Sequence, residues 1–176
     1  MNREQLEHAI RAACDVSEDN ELIIFGSQAI LGQFPQPHEE LIKSIEVDVS
    51  PKNKREAVDK IDGALGENSQ FHKTHGFYVH GVPIESAILP KSWLERTIKV
   101  HDYMDNNKTG YCIEAHDLAA SKLMVFREKD TGFVRRLLIE GMINVDILIE
   151  RLMATVADRE KKERALLWTQ RTSKSL

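Results

Sequence analysis

Leu6, Ile10, Ala13 and Cys14 recur at helical spacing in an otherwise polar opening segment, which predicts a short helix over 5–14 with one buried side. A polar stretch, Asp15 to Asn20, then breaks the pattern. Glu21-Leu22-Ile23-Ile24-Phe25 is a compact apolar run that stops at Gly26, as a buried strand does when it enters a turn. Ser27 to Leu31 begins a helix, and Gly32 to His38, with Pro35 and Pro37, ends it. From Ser44 to Ser50 the period changes to two. Ile45, Val47 and Val49 fall on one face of a strand, Glu46 and Asp48 together on the other, and Pro51 closes it. Ala57, Val58, Ile61 and Leu65 then form the inward stripe of a helix over 54–65.

Further along, 71–88 reads as two extended segments around His80-Gly81, a hairpin or a bulged meander. Phe77 and Val79 alternate with Tyr78 and His80; Val82, Ile84, Ser86 and Ile88 alternate with Pro83, Glu85 and Ala87. Glu85 is thereby expected on a strand, on the face opposite the main apolar positions. Pro90 to Trp93 marks a turn, and a polar connector extends through Gly110. A long helical pattern starts at Ala115, with Asp117 or an earlier turn residue as its cap, and runs to about Glu140 before Gly141. Ile147, Leu148, Leu152, Met153 and Val156 belong to a final helical region, and the mixed charges of Asp158 to Arg164 mark a solvated helix. The expected organisation is an α/β core over 1–110 and a helical region over 111–176 packed on it.

Composition narrows the class. At 176 residues the chain fits one compact domain with a small helical appendage, and 41% hydrophobic with 30% charged residues describes an ordered soluble protein. No apolar run approaches the roughly 20 residues that span a bilayer, and Met1-Asn2-Arg3-Glu4-Gln5 is too polar to open a secretory signal, so the expected compartment is the cytoplasm. Cys14 and Cys112 lack metal-ligand spacing and read as thiols. A net charge of −4 argues against bulk coating of DNA or a membrane, while leaving room for a local basic groove or a metal-balanced triphosphate.

The carboxylates carry the candidate chemistry. A strand that presents Glu46 and Asp48 two positions apart can hold one or two divalent cations. The preceding Gly26-Ser27 turn can offer backbone donors and a hydroxyl to phosphate. His116 beside Asp117 reads as a helix-start hydrogen bond, the seven histidines show no compact zinc spacing, and Trp93 and Trp168 read as packing residues.

An apolar strand, a Gly-Ser signature, a short helix and loop, then an acidic-x-acidic strand resemble the nucleotidyltransferase superfamily. The residues concerned are Ile23-Ile24-Phe25-Gly26-Ser27-Gln28 and Ser44-Ile45-Glu46-Val47-Asp48-Val49. With Asp117-Leu118-Ala119-Ala120-Ser121-Lys122-Leu123, Arg127-Glu128-Lys129-Asp130 and Phe133-Val134, the chain resembles more specifically a bacterial nucleotidyltransferase-like family (DUF6036-like) related to the AbiEii and MenT toxin group, over roughly residues 20–152.

The resemblance implies a mixed α/β sheet of nucleotidyltransferase type with packed helices. It implies a transferase dependent on Mg2+ or Mn2+, with a nucleoside triphosphate as substrate and attack at the α-phosphorus. Glu46 and Asp48 would hold metal, Gly26 and Ser27 the phosphates, and Glu85 is the candidate third carboxylate. Lys122 would reach a phosphate, and Arg127 and Lys129 would add positive potential, with Asp130 orienting a cation. Lys122 and Lys129 nearly align on an ideal continuous helix. The implied acceptor is RNA, tRNA among the candidates, or protein, and the implied context is the toxin of a toxin–antitoxin pair with a cognate antitoxin. Glu46 stands where many active members carry Asp, which keeps a catalytically inactive nucleotide-binding, metal-binding or protein-interaction module as the alternative. A phosphotransferase is a second enzymatic reading.

Overall fold

The computed structural model describes residues 1–101 and 107–176, and these form two compact units. The first comprises Met1–Ser86 and Thr97–Ile113; the second comprises Ala87–Arg96 and Glu114–Leu176.

The first unit opens with α1 (Arg3–Ser17), whose start is fixed by a reciprocal box: the Asn2 side chain accepts from the Gln5 N–H at 2.9 Å and the Gln5 side chain accepts from the Asn2 N–H at 2.8 Å. The predicted stripe of Leu6, Ile10, Ala13 and Cys14 is buried. Next come β1 (Glu21–Phe25), a 3-10 turn at Ser27–Ala29, the single turn α2 (Ile30–Gln33), and β2 (Glu46–Pro51). A 3-10 turn at Arg55–Ala57 leads into α3 (Val58–Leu65), followed by α4 (Gln70–His75) and β3 (Tyr78–Gly81). The strands β4 (Ile98–His101) and β5 (Thr109–Cys112) complete a mixed five-stranded sheet in the order β3-β2-β1-β5-β4. Strand β1 is antiparallel to β2 and parallel to β5, β2 is parallel to β3, and β5 is antiparallel to β4.

One face of this sheet is closed by α1, α2 and α3. Val47, Val49 and Val79 lie on it fully buried, and two glycines let helices approach. A Cβ on Gly110 would lie 2.5 Å from Cδ1 of Ile10 in α1, and one on Gly81 2.1 Å from the Val58 carbonyl oxygen in α3. Because side chains alternate along a strand, residues 46, 48, 78 and 80 occupy the opposite face. Both cysteines are buried thiols outside any disulfide, and burial pushes the Cys112 thiol up to about 12.

Three expectations about this unit need correction. Ile45 is exposed and precedes β2, so the inward set of that strand is Val47 and Val49. Residues 71–88 are not two extended segments. Ser69 caps α4 by accepting from the His72 N–H at 3.1 Å, Gly76 ends it at φ +74°, and only Tyr78–Gly81 is strand. Glu85 consequently sits in a 3-10 turn, Ile84–Ser86, not on a strand. The polar connector before Gly110 contains β4 and leads into β5, two short strands that pair with each other and join the sheet through the distant strand β1.

The second unit packs α5 (Ala115–Val125), α6 (Glu128–Ile139), α7 (Val145–Ala154) and α8 (Arg159–Ser173), with α5 touching the other three. The earlier turn residue that caps α5 is Glu114, whose carboxylate accepts from the His116 and Asp117 N–H groups. His116 is fixed at the helix start as expected, 2.7 Å from Glu114 and accepting from the Asn144 N–H at 2.9 Å. The continuous helix expected to Glu140 is instead broken at Phe126, which adopts the left-handed conformation at φ +66°. Asp130 restarts the chain as α6 by accepting from the Arg127 N–H at 3.2 Å. Among the described residues, no helix is long and apolar enough to cross a membrane.

Candidate functional site

Alternation on β2 directs Glu46 and Asp48 to the same face, and the parallel pairing of β3 sets His80 opposite Asp48 and Tyr78 opposite Glu46. The three side chains converge. His80 Nδ1 lies 2.9 Å from Glu46 Oε1 and 3.1 Å from Asp48 Oδ1, and the ligand atoms of all three residues lie within 4.8 Å of one another. Their side chains keep 36% (Glu46), 27% (Asp48) and 42% (His80) of their exposure, so ligand can reach them from solvent. Burial, followed by the negative charges of Glu46 and Glu67, pushes the Tyr78 phenol up to about 12, so it stays a neutral donor beside Glu46.

The Gly-Ser turn completes the arrangement from the end of β1, where Phe25 pairs with Asp48. Gly26 has φ +64°, and a Cβ there would fall 2.0 Å from Asp48 Oδ2. Only glycine therefore serves both the backbone conformation and the approach of the turn to the carboxylate. Oδ1 of Asp48 faces His80, while Oδ2 faces the turn. The fully buried Gln28 ties the same turn to the approach of β2, donating from Nε2 to the Ser44 carbonyl at 3.2 Å. Ser27 opens a one-turn 3-10 helix, so its N–H and hydroxyl, rather than a long helix dipole, are what the turn offers to an anion.

A divalent cation fits this donor set. Adjacent ligands of an octahedral ion with bonds of roughly 2.1–2.2 Å lie about 3.0–3.1 Å apart. The spacings from His80 Nδ1, 2.9 Å to Glu46 and 3.1 Å to Asp48, are those of hydrogen bonds to the carboxylates and also lie close to such an edge.

Of the other sequence-derived residues, Glu85, Lys122 and Arg127 have partners of their own. Glu85 does not join the group: its Oε1 is 2.6 Å from Arg55 Nη1 in an exposed ion pair. In the helical unit, Lys122 Nζ is 3.5 Å from Asp130 Oδ1 and 4.5 Å above the Phe133 ring, and Arg127 Nε is 2.7 Å from Asp130 Oδ2. Burial works against the charge of Asp130, but Arg127 and Lys122 outweigh it and hold its carboxyl below the ordinary range. Asp130 thus fixes two of the proposed phosphate ligands. Lys129 is exposed in the first turn of α6. The break at Phe126 puts Lys122 and Lys129 on different helices and removes the alignment expected of one continuous helix.

Two residues escaped the sequence reading. His80 carried a signal, its alternation with Val79, but the strand it would join was not evident. Asp117 appeared only as a helix cap, yet it is fully buried between Arg96 at 2.8 Å and Arg151 at 3.1 Å.

No curated protein and no solved structure gives a significant match to the chain. A family model described as a nucleotidyltransferase of unknown function (DUF6036) matches residues 4–174. With the Gly-Ser turn set against an acidic-x-acidic strand and a match across nearly its whole length, the chain belongs to this nucleotidyltransferase family, DUF6036.

Proposed function

We propose that the protein is a divalent-cation-dependent nucleotidyltransferase that moves a nucleoside monophosphate from a nucleoside triphosphate to a hydroxyl of RNA, tRNA included, or of a protein. One observation carries this: the Gly26-Ser27 turn abuts Asp48 at the very point where Glu46 and Asp48 share a sheet face. Glu46 and Asp48 bind the cation, and Gly26 and Ser27 present N–H groups and a hydroxyl to the polyphosphate. When bound, a divalent cation neutralises phosphate oxygens and stabilises charge on the attacking and leaving oxygens. Tyr78, held neutral, donates toward the carboxylate side of the site without adding charge.

In the transfer, the acceptor oxygen forms a bond to the α-phosphorus and the bond from that phosphorus to the bridging oxygen breaks. Pyrophosphate leaves with the electron pair, and the hydroxyl proton is released. The proposed site omits Glu85, which is engaged by Arg55, and Lys122, Arg127 and Lys129, of which the first two are engaged by Asp130. A toxin whose activity a cognate antitoxin masks or reverses in a bacterial cytoplasm is the biological role that goes with this chemistry, and the motif likeness to the AbiEii and MenT group supports it.

The test is a product assay with each of four labelled nucleoside triphosphates, Mg2+ or Mn2+, and cellular RNA plus protein extract, comparing the intact protein with Asp48→Ala. Incorporation with pyrophosphate release, lost in the variant, is the expected result. Equal incorporation by both proteins would overturn the role of Asp48. Nucleotide binding without pyrophosphate would identify a non-catalytic module, and release of a nucleoside diphosphate a phosphotransferase.

A further inference from the structure

We propose that His80 is the third metal ligand of this site, and that the mixed Glu46, Asp48 and His80 set selects Mn2+-type transition ions over Mg2+. This deepens the nucleotidyltransferase reading above and rests on it for the site's location.

The placement of His80 is imposed by the sheet. In the parallel pair of β2 and β3, Glu46 is in register with Tyr78, Val47 with Val79, and Asp48 with His80. Val47 and Val79 are both fully buried on the helix-covered face, so β3 cannot slip by one residue without exposing Val79 and burying Tyr78 and His80. His80 is therefore locked on the acid-bearing face. Its Nδ1 approaches both carboxylates, at 2.9 and 3.1 Å, with Glu46 Oε1 and Asp48 Oδ1 as the facing atoms. Without metal these are hydrogen-bond distances from the imidazole to the carboxylates; with metal, the same convergence, all three ligand atoms within 4.8 Å, would let the three residues share a single ion. The third position that a carboxylate would fill is occupied by imidazole, since Glu85 is held by Arg55 outside the group.

Imidazole changes which ion is held. Mg2+ is hard, takes oxygen ligands and keeps its waters, so replacing one carboxylate by a neutral nitrogen removes both charge and preferred donor type. First-row transition ions accept nitrogen readily. Among them Mn2+ also suits carboxylate and water in six-coordinate geometry, as binding to a triphosphate requires. The partial exposure of all three side chains leaves room for the remaining ligands to come from water and phosphate.

The test is direct metal binding to the full chain without nucleotide, with Mn2+ and Mg2+ as separate probes, read by calorimetry and by pulsed electron paramagnetic resonance of bound Mn2+. The intact protein is expected to bind Mn2+ at least about tenfold more tightly than Mg2+ and to show nitrogen coupling from a coordinated imidazole. His80→Gln should weaken Mn2+ by about 10–100-fold, matching or exceeding the loss of a supporting partner of a ligand, and should abolish the coupling. His80→Asp, which restores an all-carboxylate set, should shift the Mn2+ to Mg2+ preference toward Mg2+ by about tenfold or more and separates ligand chemistry from misfolding. If Asp48→Ala loses Mn2+ while His80→Gln binds it as tightly as the intact protein, His80 is not a ligand and the nucleotidyltransferase reading stands. If the intact protein binds neither ion, this proposal and the metal-dependent reading fall together. Nucleotide incorporation that persists with Mg2+ alone at undiminished rate would overturn the selectivity while leaving the transferase intact.

Discussion

The two units use carboxylates in opposite ways. In the helical unit, Asp117 and Asp130 are 0% and 1% exposed, and each is answered by two cations: Arg96 and Arg151 for the first, Lys122 and Arg127 for the second. In the sheet unit, Glu46 and Asp48 remain partly exposed and face each other across a shared histidine. Burial beside paired cations makes an internal tie that orders helices, because removing one partner strands a charge in a dry interior. Two acids that share one imidazole at an open sheet face contribute little to the fold, and the repulsion between them would be relieved by a bound cation. On the proposed function, the comparison separates acids that hold the structure from acids placed to take a cation.

The largest effect should come from breaking the buried tie. Asp117→Ala leaves Arg96 and Arg151 without their carboxylate and should cost about 3–5 kcal/mol by urea unfolding, whereas Asp48→Ala should change stability by about 0.5 kcal/mol or less without metal. Equal costs would erase the distinction between the two kinds of acid. Gly26→Ala comes next. Its Cβ would press on Asp48 Oδ2, and nucleotide incorporation should fall by about 100-fold, the scale of a 1 Å misplacement. Retained incorporation would show that the turn does not need to approach the acid.

A smaller effect concerns pH. The Tyr111 hydroxyl, then Asn53 and Lys52, hold the Glu21 carboxyl at about 2 against an ordinary 4.5. Its folded value is lowered, so its stabilisation is complete above the unfolded value and is lost as pH falls from 4.5 toward about 2. Asp117 has the opposite sign: burial outweighs Arg96 and raises its carboxyl, so its contribution is greatest at low pH and declines as pH rises through the folded value. Tyr111→Phe should cost about 1 kcal/mol at neutral pH and flatten the loss of stability below pH 4.5. Unchanged slopes in unfolding at pH 3 to 7 would contradict the assignment to Glu21. The smallest effect is expected from Glu85→Gln, which removes an exposed pair with Arg55 and should alter stability by about 0.5 kcal/mol or less and metal binding not at all. A loss of metal affinity in that variant would return Glu85 to the site.

Local pattern carried part of this architecture. The apolar run of β1, its stop at Gly26 and the alternation of Glu46, Val47 and Asp48 are each written within a few consecutive residues, where strand period alone decides the faces. Long-range features were less legible. Strands β4 and β5 have four residues each, and Gly110 is acceptable in β5 because Ile10 of α1 fills the space above it. The break at Phe126 has neither Gly nor Pro to announce it; it depends on Asp130 turning back to Arg127.

By itself the sequence determined that a Gly-Ser turn precedes two acids on one strand face, since both follow from spacing along the chain. Tertiary structure decided which third side chain meets them. His80 and Glu85 stand five positions apart on the same approach, and only the parallel register of β3 on β2, enforced by burial of Val47 and Val79, delivers the imidazole to the carboxylates while the 3-10 turn gives Glu85 to Arg55. Pairing between distant strands is set by which faces can be buried together, a condition that local period does not contain.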